Sequence, residues 1–192
     1  MSTAVEYPNW FEYVRPNFEQ FLTPLAGKDN LNFLQLGVFT GDASVWLAQN
    51  ILTGSDCLLI DVDTWEGSEE QAHETMNFAD VYSVYLDKVK PYPFIKHWEL
   101  DTNLFFRSFA TQDYDFIYID ADHTTVGVLL DAEHSWPQLK SGGIMAFDDY
   151  IWGHESGDPR LAPQVGIDLF LYRHQLDIEI LTKNTQVWLK KR

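Results

Sequence analysis

Basic side chains are scarce in this sequence: 13 Lys and Arg face 29 Asp and Glu, a formal charge of −16. A chain of that charge repels phosphate backbones and anionic bilayers, so neither nucleic acid nor a membrane surface is an expected partner. Cysteine is nearly absent; Cys57 alone can close no internal disulfide and reads as core packing. No apolar run approaches the length that spans a bilayer. The opening residues MSTAVEYPNW lack a basic stretch followed by an apolar one, and a cytoplasmic protein is expected. Neither GxGxxG nor GxxxxGK[ST] occurs, so no polyphosphate cradle is expected. Repeats and low-complexity linkers are missing too, which makes residues 1–192 one expected domain with a helical segment over 1–30.

What is present is a folding chain, 45% apolar and 15% aromatic. NWFEYVRPNFEQFLTPLAG (9–27) is amphipathic, with Pro16 and Pro24 expected to break it into short helical pieces. Strands are predicted at 31–37, 57–63, 94–100, 115–120 and 143–149. Helices are predicted at 42–52, from Ser68 to about Val89, at 102–111, at 124–139 with an interruption at Pro137, and at 164–175. DIEILTK (177–183) and TQVWLKK (185–191) close the chain as a hairpin. This alternation argues for a mostly parallel sheet covered by helices on both faces, with one antiparallel strand from the hairpin. Ligands bind such sheets beyond the carboxyl ends of the strands.

The polar residues gather at those ends. LQLGVFTGDAS sets Gly37 and Gly41 between a strand and a helix, where backbone can approach a ligand closely. The next strand ends in Asp61 and Asp63, and an acid there accepts hydrogen bonds from a ribose diol. Together these favour a nucleoside without a polyphosphate. YDFIYIDADH ends in Asp120, Asp122 and His123, and GGIMAFDDY in Asp148 and Asp149. One helix links these strands, so a right-handed crossover can set them side by side, about 4.8 Å apart. Three carboxylates brought together repel one another unless a cation sits between them, and oxygen ligands suit Mg²⁺ or another hard divalent ion. Ligation by both Asp148 and Asp149 requires the chain to bend there, because consecutive strand residues face opposite ways. His123, with Asp122 as its rival, is placed to act as a base.

FLQLGVFTGDASVWLAQNIL, DTWEGSEE, YDFIYIDADH and LKSGGIMAFDDYIWG occur in that order over residues 33–153. In these motifs the chain resembles class I S-adenosylmethionine-dependent methyltransferases, closest to the small bacterial and macrocin-type sugar O-methyltransferases. The resemblance implies a three-layer, Rossmann-like α/β fold with a seven-stranded, mostly parallel sheet whose last strand is antiparallel. It implies S-adenosylmethionine as cofactor, lying along Gln35, Gly37, Phe39 and Gly41, with its ribose on Asp61 or Asp63 and its adenine near Asp101 and Thr102. Asp120 would face both the cofactor and the cation, completed by Asp148 and Asp149, with His123 as general base. Where the family commonly has an acid, this chain has Gln35, whose amide oxygen can accept from the cofactor's ammonium without the charge. Phe39, Trp65, Tyr150 and Trp152 flank the cleft, as stacking or packing rings, with Trp65 the first choice for a ligand contact. The expected reaction is cation-assisted O-methylation of a small hydroxylated molecule, a sugar or a phenol. A metal-free methyltransferase, and a non-catalytic nucleoside-binding protein of the same fold, remain the alternatives. A homo-oligomer is left open.

Overall fold

In the computed structural model, residues 7–67, 75–109, 112–153 and 157–192 are described. Seven strands, β1 (Asn32–Leu36), β2 (Leu58–Asp63), β3 (Ile95–Glu99), β4 (Tyr114–Ile119), β5 (Leu139–Phe147), β6 (Ile178–Lys183) and β7 (Val187–Lys191), form one sheet in the order β3-β2-β1-β4-β5-β7-β6. Pairings from β3 through to β5 are parallel, and β7 runs antiparallel to both β5 and β6. The central strands are mostly apolar because both faces are covered, with Gln35 and Asp61 as buried polar exceptions. Phe33, Phe116, Tyr118 and Trp188 face α1 (Phe11–Leu22), α2 (Asp42–Asn50) and α3 (Phe78–Val89). Leu36, Ile117, Ile119 and Phe147 face α4 (Thr102–Ser108), α5 (Thr125–Ser135) and α6 (Pro163–Arg173).

Three expected boundaries move. Pro16 lies inside an unbroken α1, at an exposed position where the lost N–H bond faces water, while Pro24 does open a separate short 3₁₀ turn. Residues 75–77 are not helical: Asn77 caps α3 through its side chain, which accepts from the Ala79 N–H, and 68–74 lie outside the described residues. β5 begins at Leu139 rather than 143, with a register irregularity between Tyr114 and Phe116 on its partner strand. Trp136–Gln138 form the expected interruption after α5. Among the described residues, no helix is long and apolar enough to cross a membrane.

Register is what positions the site. Leu36 pairs with Ile119 and Ile119 with Phe147, so β1, β4 and β5 end at one level. Gly37, Asp120 and Asp148 follow directly, their N–H groups bonded to Val62, Leu36 and Ile119 carbonyls.

Candidate active site at the strand tips

The glycine turn after β1 is held by side chains from β2 and α2. Gly37 has φ +79°, and a Cβ there would lie 1.8 Å from the Asp120 carbonyl oxygen, so this turn lies directly against the tip of β4. Asp63 Oδ2 accepts from the Val38 and Phe39 N–H groups (2.6 and 2.9 Å), and its Oδ1 from the Trp65 N–H (2.8 Å). Gln35 is buried; its amide donates to the Gly37 carbonyl and its oxygen accepts from Ser44. Gly41 ends the turn as the N-cap of α2. Asp61 lies deeper, fully buried, with the Tyr85 hydroxyl donating to it at 3.0 Å. Burial pushes its carboxyl up to about 7, the Ser44 and Tyr85 hydroxyls hold it down, and Asp63 adds repulsion. Of the two acids considered for a ribose, only Asp63 reaches the strand tip. Trp65 is also buried, its indole N–H donating to the Phe39 carbonyl and its ring against Tyr82 and Tyr85.

After β3, Asp101 caps α4 by accepting from the Asn103 and Leu104 N–H groups, while the Thr102 hydroxyl turns inward to Asp131 on α5 (2.6 Å). Above the turn, Trp10 stacks on Phe39 at 4.5 Å, and the first turns of α1 roof a recess of about 60 Å³ lined by Gln35, Val38, Tyr118, Asp120 and Asp148.

Asp120, His123 and Asp149 come together at the tips of β4 and β5, each with one ligating atom within 4.8 Å of the others. The imidazole Nε2 lies 3.0 Å from Asp149 Oδ2 and 3.5 Å from Asp120 Oδ1. Loss of solvent, then the Asp148 charge, drives the Asp120 carboxyl above its ordinary range, and His123 opposes the rise. Asp149 reaches this cluster because its φ of +53° bends the chain just past β5. Asp148 does not join it: the Tyr118 hydroxyl donates to one of its oxygens and the Asp149 N–H to the other. Asp122 is exposed and makes a local turn, accepting from the Thr124 N–H.

The flanking rings divide. Trp152 packs on His123, 5.2 Å between centroids. Tyr150 is buried and points to Asp168 and Gln164, so it anchors the following loop. Tyr118 and Asp131 were not among the residues singled out from sequence. Asp131 had a usable signal, as an acid on the helix face that carries Val128, Ala132 and Ser135, all buried. Tyr118 had none, being one more aromatic in an apolar strand.

Strand order, the reversed β7 and a polar cleft at the tips of the parallel strands define a class I S-adenosylmethionine-dependent methyltransferase. The chain belongs to the family described as "Methyltransferase domain", whose model matches residues 34–150. Among solved structures, an O-methyltransferase from Bacillus cereus in complex with SAH aligns with a TM-score of 0.59 at 16% identity, over 98% of this chain and 84% of its own. The O-methyltransferase NovP aligns at 0.65 and 14%, over 94% and 78%. MycE, a methyltransferase from the mycinamycin biosynthetic pathway in complex with Mg and SAH, aligns at 0.60 and 12%, over 97% of this chain and 51% of MycE. At these identities the likeness is one of fold. No curated protein matches the chain in sequence.

Proposed function

We propose that the chain transfers a methyl group from S-adenosylmethionine to a hydroxyl of a small molecule, with a divalent cation at Asp120 and Asp149 and His123 as general base. The observation that carries this reading is the convergence of Asp120, His123 and Asp149 beside the Gly37 turn. The donor set fits both groups. A cationic sulfonium suits a cleft edged by carboxylates, and two carboxylates suit a hard cation such as Mg²⁺, with the imidazole beside them as proton acceptor. Ligand pockets run to ~300–1,000 Å³, so the Trp10–Phe11 end of α1 has to withdraw from its recess to admit cofactor and acceptor.

When bound, the cation supplies Lewis acidity that makes a neighbouring hydroxyl easier to deprotonate. His123 takes that proton on its ring; Asp149, 3.0 Å from Nε2, fixes the imidazole's orientation, and Trp152 packs against the ring. The glycine turn, pinned by Asp63, keeps the cofactor side of the cleft in place. Asp63 is the better placed of the two acids for the ribose, since Asp61 lies beneath Tyr85. The acidic surface favours a small acceptor over nucleic acid. MycE, solved in complex with Mg, SAH and mycinamycin VI, supports a small-molecule acceptor.

A metal-free variant draws support from Asp149 already standing 3.0 Å from His123 Nε2, an acid–imidazole pair complete without a cation. One experiment separates them: methyl transfer from labelled S-adenosylmethionine to a panel of sugars and phenols, with EDTA or added Mg²⁺, alongside calorimetry with S-adenosylhomocysteine. EDTA is expected to abolish transfer and Mg²⁺ to restore it; undiminished activity in EDTA selects the metal-free variant. His123→Ala is expected to lower turnover by about 10²–10⁴-fold with cofactor affinity nearly intact. Equal loss of both removes His123 as the base.

A further inference from the structure

Two adjacent carboxylates at the end of β5 meet different partners. Asp148 is taken from below by the Tyr118 hydroxyl, and its other oxygen accepts the N–H of Asp149 at 2.8 Å. Asp149, turned by its left-handed backbone, enters the group with Asp120 and His123. Tyr118 is well fixed: it is 2% exposed, pairs with Ala146 across β4 and β5, and has the Phe18 ring of α1 edge-on at 5.0 Å. A phenol held this rigidly in a strand can decide where a neighbouring carboxylate points, because swinging Asp148 away would leave a buried hydroxyl without its acceptor.

We propose that Tyr118 is a positioning residue that sorts the Asp148–Asp149 pair, keeping Asp148 out of the cation site so that Asp149 serves there with Asp120. The inference rests on the cation reading given under Proposed function. It divides the work of two acids that look equivalent in sequence: Asp149 binds the cation, and Asp148 braces the bend that delivers Asp149. Two carboxylates rather than three would then hold the cation.

Mn²⁺, whose free-ion EPR signal disappears on binding, tests this on the whole protein without reference to turnover. Asp149→Asn is expected to weaken Mn²⁺ binding by about 100-fold or more. Asp148→Asn, whose amide oxygen can still accept from the Asp149 N–H and so keep the brace, should weaken it by less than ~3-fold. Tyr118→Phe frees Asp148 to enter the site and is expected to tighten Mn²⁺ binding by about 10-fold. The double variant Tyr118→Phe/Asp148→Asn should return to the wild-type value. A purely structural Tyr118 predicts weaker binding in Tyr118→Phe, and no recovery in the double variant. Equal losses in Asp148→Asn and Asp149→Asn overturn the sorting even if Tyr118→Phe fails to fold, and so does Tyr118→Phe binding no tighter than wild type. Wild-type protein that takes up no Mn²⁺ removes the cation reading and the sorting together, whereas uptake with equal losses removes the sorting alone.

Discussion

Asp131 is 1% exposed on α5, with one oxygen accepting the Thr102 hydroxyl and the other meeting no hydrogen-bond partner among the described residues. Burial pushes its carboxyl up to about 7; Thr102 opposes the shift, and Asp122 and Asp101 add to it. The folded state therefore holds a proton that the unfolded chain has released above about pH 4. The sign follows: this group's contribution is fully present below the unfolded pKa and is lost as pH rises through 7, on the order of 4 kcal/mol at most. Asp61 acts in the same direction. The urea midpoint of the wild-type protein is expected to fall between pH 5 and pH 8. Asp131→Asn, which keeps an acceptor for Thr102, should remove part of that fall; an unchanged pH slope would show that Asp131 is not the group responsible. The acids at strand tips were legible as candidates because they interrupt apolar runs. Which of them stay at the surface was not, since Asp61 and Asp63 lie on the same face of β2 and differ only in what packs above them.

Among the elements, the glycine turn and α1 give opposite tests. At Gly37 both the backbone (φ +79°) and the space forbid a side chain, because a Cβ would meet the Asp120 carbonyl oxygen. Gly142 has nearly the same φ, +80°, with nothing near it. Gly142→Ala is expected to cost ~1–2 kcal/mol in chemical denaturation from its left-handed backbone alone. Gly37→Ala should cost more than about 3 kcal/mol, since two main chains must part. Similar losses at both positions would mean that the β1 and β4 main chains part at little cost. In α1, Pro16 removes an N–H in mid-helix at an exposed position. Pro16→Ala is therefore expected to stabilise the protein by about 1–3 kcal/mol, seen as a higher thermal midpoint. The helix survives its proline because Phe11, Phe18 and Leu22 bury one face of it on the sheet, a tertiary contribution that local propensity does not contain. The same limit explains β5, whose first residues, LKSG, carry no strand pattern and are drawn in by pairing of Leu139 with Tyr114.

For the whole molecule the charge of −16 is the dominant long-range quantity. Like charges spread over one small sheet protein oppose compaction, and salt screens them. Raising NaCl from about 0.01 to 0.15 M, where the Debye length shrinks from ~30 to ~8 Å, is expected to raise the thermal midpoint. A falling midpoint would mean that ion pairs such as Lys88–Asp42 and Lys140–Asp115 outweigh the net repulsion.

From sequence alone came the doubly wound sheet with its reversed last strand, the glycine turn and the ring of acids at the strand ends. All of these are written in local patterns: apolar runs of strand length, short connections, and polar residues that stop the runs. Only the tertiary structure decided that Asp61 is roofed by Tyr85, that α1 closes over the cleft, and that Asp149 rather than Asp148 meets Asp120 and His123. Those outcomes depend on register between strands far apart in the chain, and on one backbone turn at Asp149. A period-two pattern specifies which face a side chain takes but not which neighbour waits for it there.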